Sequence, residues 1–167
     1  MVEEHLYLAD FRVIAGSSRH LVGGCIISTY YQETGHTSAA IELEDGTIIC
    51  GHSSELLGCS AALLLNVTKH LGDIDHNLKL IPQSMIEPIQ YTKVNYLGGH
   101  NPRLHTDEVL VALSVLSEND ENCRVALQQL PKLRGCQAHC TVMLSDVDLR
   151  IFKKLGVNIT CEPVLKK

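Results

Sequence analysis

The stretch that most constrains the fold is Gly135 to Pro163, because it reads as strand, helix, strand with almost nothing between the elements. Ala138 to Leu144 is short, apolar and rich in β-branched residues, as a buried strand is. Ser145 stands where a hydroxyl caps a helix, and Asp148 three places on has capping-box spacing and a charge suited to the positive helix end. Val147, Ile151 and Leu155 repeat at helical spacing, and Gly156 sits where a helix closes in the left-handed conformation. Val157 to Cys161 begins a second strand. Two strands joined through a helix run parallel, so this unit predicts an α/β sheet.

The rest of the chain fits that nucleus. Ala39 to Leu43 and Thr47 to Cys50 flank Glu44-Asp45-Gly46, a hairpin signal, since Asp-Gly supplies positive φ. Ser53 and Ser54 are expected to start a helix running to about Leu71, apolar nearly all round and therefore buried. Leu78 to Ile81 reads as a short strand stopped by Pro82. Ser84 to Glu87 has capping-box spacing for a helix through about Leu97, Thr106 caps another, and Asn119 to Leu130 forms one more, ended by Pro131. Residues 1–32 form a poorly defined N-terminal segment, with an apolar helix or strand around Cys25 to Tyr31. Residues 33–167 form a single domain: a three-layer α/β/α sandwich around a five-stranded, mixed and mostly parallel sheet.

Composition bounds the function. The 167 residues are 45% apolar and 20% charged, enough for one core without metal or disulfide. A net charge of −5 with no basic cluster argues against a nucleic-acid partner. No apolar run is long enough for a membrane span, and Glu3-Glu4 replace the basic start of a signal peptide, so a cytoplasmic protein is expected. Seven irregularly spaced cysteines read as reduced, buried thiols. Cys136, His139 and Cys140 come nearest to a metal pattern, but alternation on a strand sends His139 and Cys140 to opposite faces, so no metal and no cofactor is expected.

The element order resembles the cytidine deaminase-like fold. Its zinc enzymes carry His or Cys two residues before Glu at the start of the buried helix, and Pro-Cys-x-x-Cys at the start of the next. Here His52-Ser53-Ser54-Glu55 has one residue too many and Pro82-Gln83-Ser84-Met85 has no cysteine, so zinc deamination is the least favoured reading. The blocks SAAIELEDGTIICGHSSELLGCSAALLLN, IEPIQ, NPRLHTDEVLVALS, ALQQLPKLRGCQAHCTVMLS and FKKLGVNITCEP resemble the C-terminal part of a bacterial family of longer proteins of unknown function. The resemblance covers about residues 33–167. It implies a deaminase-like shape here and, in the family's N-terminal part, a glycine-rich loop similar to a phosphate-binding loop, which this chain lacks. His52 and Cys59 stand where the family has Lys and Ala, and Gly99-His100 where it has Ser-Lys.

The polar residues with most chemical promise are Asn101, Arg103, His105 and Thr106, followed by Asp107 and Glu108. Helix amides beside an Arg fork and an imidazole form a site for phosphate or carboxylate. Lys132 and Arg134 before the central strand, and His139 within it, are grouped with them as anion ligands. Each has an ordinary structural alternative: turn, cap, ion pair or core histidine. Two readings follow. The chain is an auxiliary domain without its own catalytic centre, docking on a phosphate-loop partner or on itself; or it binds or transforms a phosphorylated small molecule or nucleotide through residues 101–108.

Overall fold

A computed structural model describes residues 30–162. The expectations for residues 1–29 and for the last five residues lie outside them.

The hairpin forms as expected. β1 (Ser38–Glu42) pairs antiparallel with β2 (Ile48–His52), Ala40 facing Cys50. The turn closes through Gly46 at φ +84° and through Asp45, whose carboxylate accepts the Thr47 amide at 2.9 Å. The helix expected from Ser53 starts later, as α1 (Cys59–Leu71). Ser54 Oγ does accept two amides, from Leu56 and Leu57, but they close a turn. Leu57 then bridges Leu104 in parallel, with Leu104 N–H donating to Leu56 O at 2.9 Å, so long-range pairing keeps 55–57 out of the helix.

Leu78 to Ile81 is not a strand, which corrects the expectation of a fifth one. Carbonyls in and just before this segment find side chains instead of a sheet. The Lys69 ammonium donates to His76 O at 2.8 Å and Leu78 O at 3.3 Å, and the Cys123 thiol donates to Leu80 O at 3.3 Å. Leu80 and Ile81 are buried all the same. Next come α2 (Gln83–Tyr91), which passes into a π-helical turn over Thr92–Tyr96, then α3 (Thr106–Leu116) and α4 (Glu121–Gln128). Asp120 caps α4 through the amides of Asn122 and Cys123, and Pro131 lies in a 3-10 turn over Leu130–Leu133.

The chain finishes with β3 (Gln137–Cys140), α5 (Asp146–Leu155) and β4 (Asn158–Cys161). β3 and β4 lie side by side and parallel, Ala138 against Ile159. α5 is capped by Ser145 Oγ, which accepts the Asp148 amide, and ends at Gly156 with φ +80°. β3 is shorter than expected because Thr141 turns away: its amide and hydroxyl both bond Ser38, and the ladder stops there.

The sheet order is β2-β1-β3-β4. β1 is antiparallel to both neighbours, so among the described strands only β3–β4 is a parallel pair; as described, the sheet is mixed but not mostly parallel. One core lies between the face bearing Ala39, Ile41, Ile49, Ala138 and Cys140 and the helices α1 and α5, which contribute Leu63, Leu64, Val67 and Phe152. A second lies beyond α1, where Ala61 and Leu65 meet Leu80, Ile81, Ile86, Leu104, Val109 and Leu113. α1 is thus apolar on both sides because it separates two cores. Full burial of a side chain such as Phe152 contributes about 1.5–3 kcal/mol. The opposite sheet face is also buried at Ser38, Ala40, Ile48 and Cys50. Among the described residues no helix is long and apolar enough to cross a membrane.

Candidate functional site

The loop into α3 is built by local chemistry. Gly98, at φ +68°, ends the π-turn, and Gly99 N–H bonds Lys93 O at 2.8 Å. Asn101 Oδ1 accepts the Arg103 amide at 3.1 Å, an Asx turn that the following Pro102 favours. Asn101 is therefore spent on the turn. Leu104 is fully buried and anchors the loop against Leu56.

Arg103 is exposed and donates through Nε to Ser54 O at 2.5 Å. Its own carbonyl accepts from Lys93 Nζ at 2.6 Å, and that ammonium also sits 2.8 Å from Glu108 Oε1. The same oxygen accepts the His105 amide at 3.1 Å, and the His105 ring lies 3.8 Å away. Asp107 Oδ1 accepts the Glu108 amide. So the chain's own carboxylates occupy the positive end of α3, where sequence reasoning puts an incoming anion. Ligand atoms of His105, Asp107 and Glu108 lie within 4.8 Å of one another, but a cation there competes with the Lys93 ammonium for Glu108.

Thr106 is fully buried, and both its amide and its hydroxyl donate to Asp148 Oδ1, at 2.9 and 2.7 Å. The second Asp148 oxygen accepts from Ser145 Oγ at 2.9 Å. This carboxylate, only 5% exposed, ties the start of α3 to the start of α5 at the carboxyl edge of β3. Thr106 is a joint between helices and offers nothing to a ligand.

The seven residues expected to form one anion site do not gather round one point. Asn101, Arg103, His105 and Thr106 lie near the N-terminus of α5. Lys132 and Arg134 are exposed beside its other end, where Gly135 N–H bonds Gly156 O at 2.8 Å and the Arg134 side chain lies over Gly156. Ten residues of helix, about 15 Å, separate the two groups. His139 is on the sheet face away from Cys140, its ring nitrogens 2.6 Å from Thr160 Oγ1 and 3.1 Å from Glu162 Oε1. The strand alternation that sets His139 apart from Cys140 is present, and Cys136 is turned to Lys132 O.

Sequence reasoning missed Lys93 and the long-range role of Asp148. Neither has a local signal: Lys93 meets Glu108 across 15 residues, and Asp148 looks like an ordinary capping acid of its own helix. It also passed over the surroundings of His52, at the end of β2. The His52 ring lies 3.9 Å from that of Tyr30, with Nδ1 2.6 Å from Ser38 Oγ. Burial, helped by the nearby His36, pushes this imidazole down to about 4.

Fold and loop together define a mixed-sheet α/β domain with a charge-paired polar loop. The particular family follows from sequence: the profile described as "Domain of unknown function DUF1846, C-terminal" matches residues 17–167, and the chain belongs to that family. It is 55% identical over 132 residues to UPF0371 protein cu0538 of Corynebacterium urealyticum, covering 79% of this chain and 27% of that protein. It is 53% identical over 132 residues to a UPF0371 protein of Corynebacterium glutamicum, again 79% and 27%. UPF0371 protein SpyM50764 of Streptococcus pyogenes is 44% identical over 133 residues, 80% of this chain and 27% of that protein. The chain therefore spans about a quarter of the length of these relatives.

Proposed function

We propose that this chain is an auxiliary domain without its own catalytic centre, and that it docks on the larger remainder of the family's proteins or on a separate chain equivalent to it. One observation carries the reading. Tyr91, Val94, Tyr96 and Leu97 are exposed by 56, 39, 73 and 76% along the end of α2 and the π-turn. An i→i+5 turn brings residues five apart onto one side, and the rings of Tyr91 and Tyr96 meet edge to face at 5.5 Å. An apolar ridge with two tyrosines is the composition of an interface core.

The finer fold belongs to the same reading. A three-layer α/β/α sandwich of cytidine deaminase-like topology needs a cover on the second sheet face, and the burial of Ala40, Ile48 and Cys50 there supports one. Deaminase chemistry draws no such support: His52 ends β2 and Glu55 lies in the loop, both before the first turn of α1.

The test mixes this chain with the separately produced remainder of UPF0371 protein cu0538, lacking its matching segment. The expected result is co-elution as a complex that Tyr96→Glu with Leu97→Glu abolishes. Separate elution, or a complex indifferent to both substitutions, overturns the reading.

A second reading, binding of a phosphorylated small molecule or nucleotide at residues 101–108, rests on Arg103, whose exposed guanidinium is held by a single bond through Nε. Inorganic phosphate that raises the melting temperature of the wild type but not of Arg103→Ala supports it; equal shifts remove its basis.

A further inference from the structure

Three cysteines meet at the carboxyl end of the parallel strand pair. Cys140 and Cys161 are register partners at the last paired position of β3 and β4, so their side chains emerge on the same face. Cys59, the first residue of α1, packs in the same core as Cys140. The Cys140 thiol is close enough to the other two for both to perturb it. Cys140 is fully buried, whereas Cys161, on the edge strand, is partly open to solvent. All three are free thiols.

The surroundings of the flanking sulfurs favour thiolate. The neighbouring Cys140 thiol, with the Leu144 amide and the His139 ring, draws Cys161 down to about 6. The Cys140 thiol beside it, with Thr37 and the Ser60 amide, lowers Cys59. Cys140, buried beside both of the others, is pushed up. By contrast, burial raises Cys50 to about 12 and also raises Cys123 and Cys136. The trio is not a metal cage. Among the described residues the one set of three His, Cys, Asp or Glu ligand atoms mutually within 4.8 Å is His105, Asp107 and Glu108, so the three sulfurs are not all that close to one another.

We propose that Cys161 is a site of modification by hydroperoxides and that Cys140 resolves it into a disulfide joining β3 to β4. The Cys161 thiolate attacks the hydroxyl-bearing peroxide oxygen; the O–O bond breaks, sulfur is oxidised to sulfenic acid, and the leaving hydroxide or alkoxide takes a proton from solvent to give water or an alcohol. The Cys140 sulfur then attacks Cys161 Sγ. An S–S bond forms, the S–O bond breaks, and the leaving hydroxide takes the Cys140 proton as water. Neighbouring strands stand about 4.8 Å apart, inside the Cα range of disulfides, and the edge position of β4 lets it adjust.

The experiment treats the full chain with stoichiometric hydrogen peroxide, blocks remaining thiols with N-ethylmaleimide, and maps peptides without reduction by mass spectrometry. The expected product is a Cys140–Cys161 linked peptide, reversed by dithiothreitol, with Cys50, Cys123 and Cys136 still as maleimide adducts. In Cys140→Ser, dimedone is expected to label Cys161 first. A Cys161 that stays fully maleimide-reactive overturns the proposal, as does a Cys161 that is oxidised without linking to Cys140, or a dimedone label arriving first elsewhere. Should Cys140→Ser fail to fold, the wild-type peptide map decides between these outcomes by itself.

Discussion

Thr106, the first residue of α3, gives both its amide and its hydroxyl to one oxygen of Asp148, 42 residues later in the chain. Ser145 holds the other oxygen, so a single buried carboxylate positions two helix N-termini against each other. Its charge is compensated by three hydrogen bonds and by its place in the first turn of α5. Asp148→Ala strands the buried Thr106 amide and hydroxyl, and a loss of about 3 kcal/mol in urea unfolding is expected. Thr106→Val removes one of the bonds and is expected to cost about 1 kcal/mol. The double variant should lose less than the sum, since both changes act on the same network.

Gly51 is where the sheet touches α1. A Cβ built there lies 2.1 Å from Leu63 N and 2.5 Å from Leu63 Cα, and backbone cannot yield as a side chain can. Gly51→Ala is expected to cost about 3 kcal/mol or more, read as lost soluble yield or a lowered urea midpoint. Gly58→Ala is the control, because its nearest neighbour, Leu104 O, is at 3.7 Å; it should change stability by only a few tenths of a kcal/mol.

Acid sensitivity is expected to centre on His52. An unfolded histidine titrates near pH 6.5, whereas burial holds this one at about 4 in the fold. Between those values the unfolded chain binds a proton that the native state refuses, so acid favours unfolding there. Stability from this residue is complete above about pH 6.5 and falls as pH drops toward 4. Solvent screening of a partly exposed ring sets the loss at about 2 kcal/mol. Urea midpoints for wild type and His52→Gln, measured from pH 7 to 4, should converge as pH falls; parallel curves would sink the assignment.

Lys69 is expected to hold the 76–81 segment in place. Lys69→Met keeps the buried stem but removes the donor to His76 O and Leu78 O. A loss of about 1–2 kcal/mol is expected, with faster amide exchange confined to residues 72–81. Exchange that rises uniformly across the chain would contradict a local role.

Much of the fold was legible because its signals are local. The Asp45-Gly46 turn, the Ser145 cap and the Gly156 terminus each depend on residues a few positions apart, and the parallel crossover of β3 and β4 spans only the helix between them. The misreadings have one physical origin. Ser54 has a helix cap's side chain and does accept two amides, but Leu57 is drawn into pairing with Leu104; Leu78 to Ile81 has a strand's composition, but Lys69 and Cys123 satisfy its carbonyls. The candidate site fared likewise. Its residue types were recognised, yet their grouping failed because Lys132 and Arg134 fall at the far end of α5 from His105 and Thr106.

The amino-acid order by itself determined where the chain turns, which segments carry apolar faces, and the family to which it belongs, because periodicity, caps and sequence likeness act along the chain. Only the tertiary structure decided that the sheet is antiparallel on both sides of β1, that α1 divides two cores, and that Glu108 and Asp148 fill the helix ends with the protein's own charge. Those outcomes depend on contacts between residues tens of positions apart, whose partners are chosen by packing and by the need to satisfy buried polar groups.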